Sequence, residues 1–100
     1  MTKELTSAQR QYLKAMAHPL SPLVTVADAG ISKGVVEAIK SALRDHELIK
    51  IRMRKPTNKK ILAQSLADES QATLCGLVGH TAVLYKKNPE KPKIHVPETS

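Results

Sequence analysis

The sequence predicts an α/β domain in the order α-β-α-β-α-β-β, with helices packed on a four-stranded mixed sheet. Three observations carry that prediction. Apolar residues recur at helical spacing in three separate segments, around Leu13, Ile39 and Leu62. At Leu48 the period switches from helical to two. Further on, two strand-like runs are separated only by Gly79-His80, a spacing of hairpin length.

The first helix opens with Thr6 and Gln9 at capping-box spacing. Tyr12, Leu13, Met16 and Ala17 form its apolar stripe, and Arg10, Gln11 and Lys14 take the outer face. Pro19 and Pro22 stop it, because the residue before a proline avoids the helical region. Leu23 to Val26 is a short β-branched strand, and Ala27-Asp28-Ala29-Gly30 turns into a second helix that Ser32 can cap. In that helix Val35, Val36, Ile39, Ala42 and Leu43 point inward, while Lys33, Glu37, Lys40 and Arg44 point outward.

From Leu48 onward Ile49, Ile51 and Met53 share one strand face, and Lys50, Arg52 and Arg54 share the other. A Lys55-Pro56-Thr57-Asn58 turn leads to a third helix from Lys59 to about Ser70, with Ile61, Leu62, Ser65 and Leu66 toward the core. Strands near Thr73–Val78 and Thr81–Lys86 complete the sheet. Residues 1–87 thus read as one domain and 88–100 as a proline-containing extended tail, in which Ile94 and Val96 could pair along a sheet edge. A β-α-β crossover gives parallel strands, and the helices are expected to cover one face of the sheet.

One hundred residues suffice for one core. A net charge of +7 directs the chain toward polyanions, with nucleic acid ahead of an acidic membrane surface. No apolar run nears the roughly 18 residues of a membrane span, and the start MTKELTSAQRQ has no signal-peptide core. Cys75 stands alone, so neither an internal disulfide nor a zinc cluster is expected, and a reducing cytoplasm is the expected compartment. Tyr12 and Tyr85 are the only aromatics. Two tyrosines cannot build a base-stacking platform, so any RNA would be held through phosphates and backbone shape.

The candidate site is the stretch from Leu48 to Ala67, which holds six Lys or Arg and no acid. An ordinary solvated face is the bland explanation of such a run. Two features oppose it. Lys50, Arg52 and Arg54 repel one another along one strand face. The third helix is charged against its dipole, with Lys59 and Lys60 in its first turn and Asp68 and Glu69 in its last. An anion at that N-terminus would offset the conflict. Gly30, Ser32 and Lys33 repeat the pattern more weakly at the second helix. If the first two strands are parallel neighbours, the Gly30–Lys33 and Lys55–Lys60 turns share one sheet edge.

Catalysis is not indicated. His18, His46, His80 and His95 lack metal-ligand spacing, and His18 and His46 read as helix-end residues. Cys75 reads as a small core residue, and Asp45 and Glu47 end a helix without an acid–base partner. There is no P-loop or Rossmann fingerprint, and no cofactor is expected.

Four segments, in order, resemble the CRM domain family in its stand-alone bacterial YhbY form. They are Leu5-Thr6 through Tyr12-Leu13 to Ala17-His18-Pro19-Leu20, Gly30 through Gly34-Val35, His46-Glu47-Leu48-Ile49-Lys50, and Gly79-His80 through Val83-Leu84-Tyr85-Lys86. The resemblance implies a fold similar to the C-terminal domain of translation initiation factor 3. It implies RNA binding through a basic surface and a KH-like Gly-x-x-Gly loop, and a role in large-ribosomal-subunit assembly with precursor ribosomal RNA as partner. That loop falls on Ala27–Gly30, where Ala27 replaces the first glycine and Asp28 adds negative charge. The RNA-binding residues expected are Gly30, Ser32, Lys33, Lys50, Arg52, Arg54, Lys55, Lys59 and Lys60. From the residues alone, a module for an acidic protein partner and a small DNA-binding domain stay open as alternatives.

Overall fold

A computed structural model describes residues 5–27 and 31–97. Helices α1 (Ser7–Ala17), α2 (Lys33–His46) and α3 (Lys59–Glu69) alternate with strands β1 (Val24–Val26), β2 (Leu48–Met53), β3 (Thr73–Val78) and β4 (Thr81–Tyr85). Each helix starts where a short polar side chain meets an orphan amide. Gln9 N donates to Thr6 Oγ1 at 3.1 Å, and Thr6 N donates back to Gln9 Oε1 at 2.9 Å, closing the capping box. Ser32 Oγ accepts from Val35 N at 3.2 Å, and Asn58 Oδ1 accepts from Ile61 N at 3.2 Å.

The sheet order is β1-β2-β4-β3, with β1 parallel to β2 and the other two pairs antiparallel. Strand alternation then divides the side chains between two faces. Ile49, Ile51 and Met53 of β2 join Ala82 and Leu84 of β4 beneath α2 and α3, where Ile39, Leu43, Ala63, Leu66 and Ala67 meet them. The opposite face carries Leu48, Cys75, Val83 and Tyr85, and α1 covers it with Leu13 and Ala17.

The structure corrects the expectation that the helices share one face. Leu48, Val83 and Tyr85 form an apolar patch on the second face that must be covered, and α1 has a matching stripe. That stripe is narrower than expected. Only the i, i+4 pair Leu13 and Ala17 is buried, whereas Tyr12 and Met16 stay exposed on the helix flank. In α3 the buried face is Ala63, Leu66 and Ala67, so Ile61 turns outward and is 64% exposed. Small alanines let α3 lie close to the sheet, and Ile61 falls about half a turn from the contact line.

Residues 88–97 form no helix or strand but are docked, after a bend at residues 89–91 in which Asn88 Oδ1 accepts from Glu90 N and Lys91 N. Ile94 and Val96 pack on the α1-side cluster rather than pairing as a strand, and Gln9 Nε2 donates to Pro97 O at 2.9 Å. The anchor is Glu47, which is fully buried. Its backbone is left-handed (φ 61°) at the α2 C-cap, and its carboxylate accepts from Asn88 N at 2.7 Å, Ile94 N at 2.8 Å and Lys93 N. Asn88 Nδ2 also donates to Arg44 O at 3.3 Å, which satisfies a C-terminal carbonyl of α2.

Burial would raise the pKa of Glu47, but the three amide donors and the Lys93 charge outweigh it and hold the carboxyl below its ordinary value. A depressed carboxylate stabilises the fold above its unfolded pKa, and that contribution disappears as pH falls through the lower folded value. Glu47→Ala removes the shared acceptor of three part-buried amides and is expected to cost about 3 kcal/mol. Urea unfolding at neutral pH measures the loss, which should shrink as pH falls through the lowered pKa of the wild-type carboxylate. Amide exchange at residues 88, 93 and 94 should accelerate in the variant more than exchange in β2.

Candidate nucleic-acid interface

Because β1 and β2 run parallel, the chain leaves both at the same end of the sheet, and both connections lead into helix N-termini. The β3–β4 turn lies at this end too, since Arg52 pairs with Thr81. Gly79 takes the left-handed conformation there (φ 59°), and Lys55 does the same in the β2–α3 connection (φ 48°). One end of the sheet therefore gathers the start of α2, the Arg54–Asn58 connection, the start of α3 and the Gly79-His80 turn.

Ser32 and Lys33 are exposed at the start of α2, and Arg52, Arg54, Lys55 and Lys60 are exposed at the β2–α3 side. Gly30, with Asp28 and Ala29, lies outside the described residues. Lys59 is half-buried, and its Nζ donates to Gly79 O at 3.0 Å, tying α3 to the hairpin turn. Arg52, Arg54, Lys55, Gly79, His80 and Thr81 line an open groove of about 580 Å³. Lys50 is set apart from this edge: its Nζ donates to His18 O at 2.8 Å and caps the C-terminus of α1. Lys50 thus has a structural partner that strand alternation alone did not reveal.

The electrostatic conflict read from the sequence is present in the fold. Neither α2 nor α3 has an acid in its first turn, and α3 has no base in its last. Among the described residues none of Lys33, Arg52, Arg54, Lys55 and Lys60 is paired with a carboxylate. Helix N-terminal amides and unpaired cations at one edge attract anions together. His80 and the Gly79 carbonyl belong to this site and were missed. The hairpin turn was legible, but only the pairing of β4 beside β2 brings it to the basic end.

Elsewhere the chemistry is quiet. Cys75 is buried, and burial pushes its thiol up to about 11 against the lowering charge of Arg10, so it is an inert core residue. Among the described residues no three His, Cys, Asp or Glu side chains converge to hold a metal. No described helix is long and apolar enough to cross a membrane.

This architecture, a mixed sheet with a cationic end where two helices begin, defines a class of small α/β domain. Residues 5–86 match the CRS1/YhbY (CRM) domain, and the chain belongs to that family. It is 35% identical over 95 residues to a Haemophilus influenzae protein named an RNA-binding protein, covering 93% of this chain and 95% of that one. A Pseudomonas aeruginosa protein named a probable RNA-binding protein is 34% identical over 91 residues, 89% of this chain and 88% of its own. The solution structure of a Staphylococcus aureus protein suggested to bind RNA superposes with a TM-score of 0.82 at 29% identity, covering 94% of this chain and all of that one. None of these names carries an enzymatic activity.

If the lysines at the start of α3 oppose its dipole, an acid there should stabilise the free protein. Lys60→Glu is expected to gain about 0.3–1 kcal/mol. Thermal unfolding at low salt measures it. A variant less stable than the parent would show that Lys60 is not set against the helix.

Proposed function

We propose that this chain binds RNA without catalysing a reaction, and that its target is ribosomal RNA on the large-subunit precursor during assembly in the cytoplasm. The observation that carries the reading is the cationic end of the sheet, which holds no carboxylate among its described residues and where two helix N-termini and the Gly79-His80 turn converge. Arg52, Arg54, Lys55, Lys59 and Lys60 supply the phosphate contacts, with Ser32 and Lys33 positioning the backbone beside them. Lys50 contributes charge from its seat under α1. Gly30 follows Ala27 and Asp28 in an altered glycine loop, so the grip rests on the cations more than on that loop. With two tyrosines in the chain, base stacking contributes little. Membership in the CRM family and the names of the relatives support RNA as the partner.

A phosphate-dominated grip releases counterions. Affinity for a structured RNA should therefore fall with salt along a log–log slope of about −0.7 to −0.9 per phosphate neutralised. Lys59→Glu with Lys60→Glu should abolish binding in a filter or anisotropy assay while circular dichroism stays unchanged. Binding that ignores salt and survives the double substitution contradicts the reading. Sedimentation of lysate on a sucrose gradient tests the assembly role: the protein should travel with large-subunit precursors and leave them after nuclease treatment. Co-sedimentation that survives the nuclease would point to a protein partner.

A further inference from the structure

The face of the sheet that α1 covers is only half covered. α1 crosses the strands with Lys14 over β3 and His18 over β2. The stem of Lys14 lies so close to Gly76 that a Cβ there would stand 2.7 Å from Lys14 Cδ, and Lys50 Nζ reaches His18 O. Beneath the helix, the row through Lys50 and Val83 is sealed, and Val83 has no exposure. The next row toward the hairpin, Val78–Thr81–Arg52–Thr25, has no helix above it. Val78 is 51% exposed there, an unusual place for a valine whose row-mates are polar.

This row is the floor of a shelf with two cationic walls. The flank of α1 forms one wall, where Gln11, Lys14, Ala15 and His18 meet Lys50 and Val78 around an open groove of about 650 Å³. Arg54, Lys55 and His80 form the other, around the groove of about 580 Å³ already described. Lys50 and Arg52 lie two residues apart on the same face of β2, so the two grooves adjoin. Neither includes a carboxylate, whereas the grooves beside Lys40 and Arg10 contain Glu90 and Asp68.

Between the walls, Lys50 to Arg54 spans four strand residues, roughly 13 Å. A double helix is wider than its own major groove, which is already about 12 Å across. A single sugar-phosphate strand can therefore lie down between the walls, whereas a duplex would have to rest on their rims. The floor offers no ring for bases, so the strand would be held by phosphates reaching both walls and read without sequence preference.

We infer that this shelf, between the α1 flank and the β3–β4 hairpin, is a binding site for a single RNA strand. Such a strand would continue from the helix N-termini at the sheet end onto the sheet face. The inference rests on the RNA-binding reading and adds the strandedness of the RNA and the α1 flank as a contact.

Val78 gives a test of sign, because it is exposed and central to the shelf. The probe is a mixed-sequence 12-nucleotide RNA, as a single strand and as a blunt duplex with its complement, measured by fluorescence anisotropy at one salt concentration. Val78→Glu should weaken single-strand binding about tenfold, Val78→Lys should tighten it severalfold, and Lys14→Glu should match Val78→Glu. Duplex affinity should change less than twofold in all three. Single-strand affinity unchanged in both Val78 variants, while Lys59→Glu with Lys60→Glu still abolishes binding, overturns the shelf and leaves RNA binding intact. Equal effects on strand and duplex overturn the single-strand assignment. If no substitution at either place weakens RNA binding, the functional reading itself fails.

Discussion

Two strands that run parallel must hand the chain onward at the same end, and in this protein both hand it to a helix. The pairing of β1 with β2 is therefore the constraint on which the site depends. Only three residues of β1 take part, yet they fix where α2 begins relative to α3. Antiparallel pairing would have sent the two helix starts to opposite ends and divided the positive charge between them. The parallel arrangement concentrates it. Cations that disfavour each helix start singly then act together on an external anion.

β2 lets one short sheet serve as core on both sides and as a charged surface on one. Its Ile49, Ile51 and Met53 are closed under α2 and α3. On the other side it changes character along its length, from Leu48 under α1, through Lys50 at the helix end, to Arg52 in the open. The far end is closed differently. Glu47 gives up an ordinary backbone conformation and a solvated carboxylate, and in exchange fastens residues 88–97 across the end of α2 through three amides. The molecule is thus buttressed at one end of the sheet and left charged and accessible at the other.

Much of this was legible in the sequence. Period switching at Leu48, the capping residues Thr6 and Ser32, the Lys55–Asn58 turn and the Gly79-His80 spacing are local signals, and the element order follows from them. Which sheet face each helix covers is not local. It depends on whether Leu48, Val83 and Tyr85 assemble a second apolar patch, and those residues meet only through the pairing of β2 with β4. Tyr12, Met16 and Ile61 show the same limit, because an apolar residue at helical spacing need not lie on the contact line. Glu47 looked like a plain helix-end acid, since its partners come from more than forty residues downstream. The site was legible as charge and illegible as shape. Lys50 to Lys60 could be named, but the hairpin turn and the α1 flank join them only through tertiary pairing.

The central claim is that RNA meets this protein at the hairpin end of the sheet. Titrating nitrogen-15-labelled protein with a structured RNA at low salt, and following backbone amides by NMR, tests it most directly. The largest shift changes should fall on residues 31–33, 52–60 and 78–82, with smaller ones along the α1 flank. Changes concentrated on residues 88–97 or on the outer faces of α2 and α3, with the hairpin end silent, would contradict it.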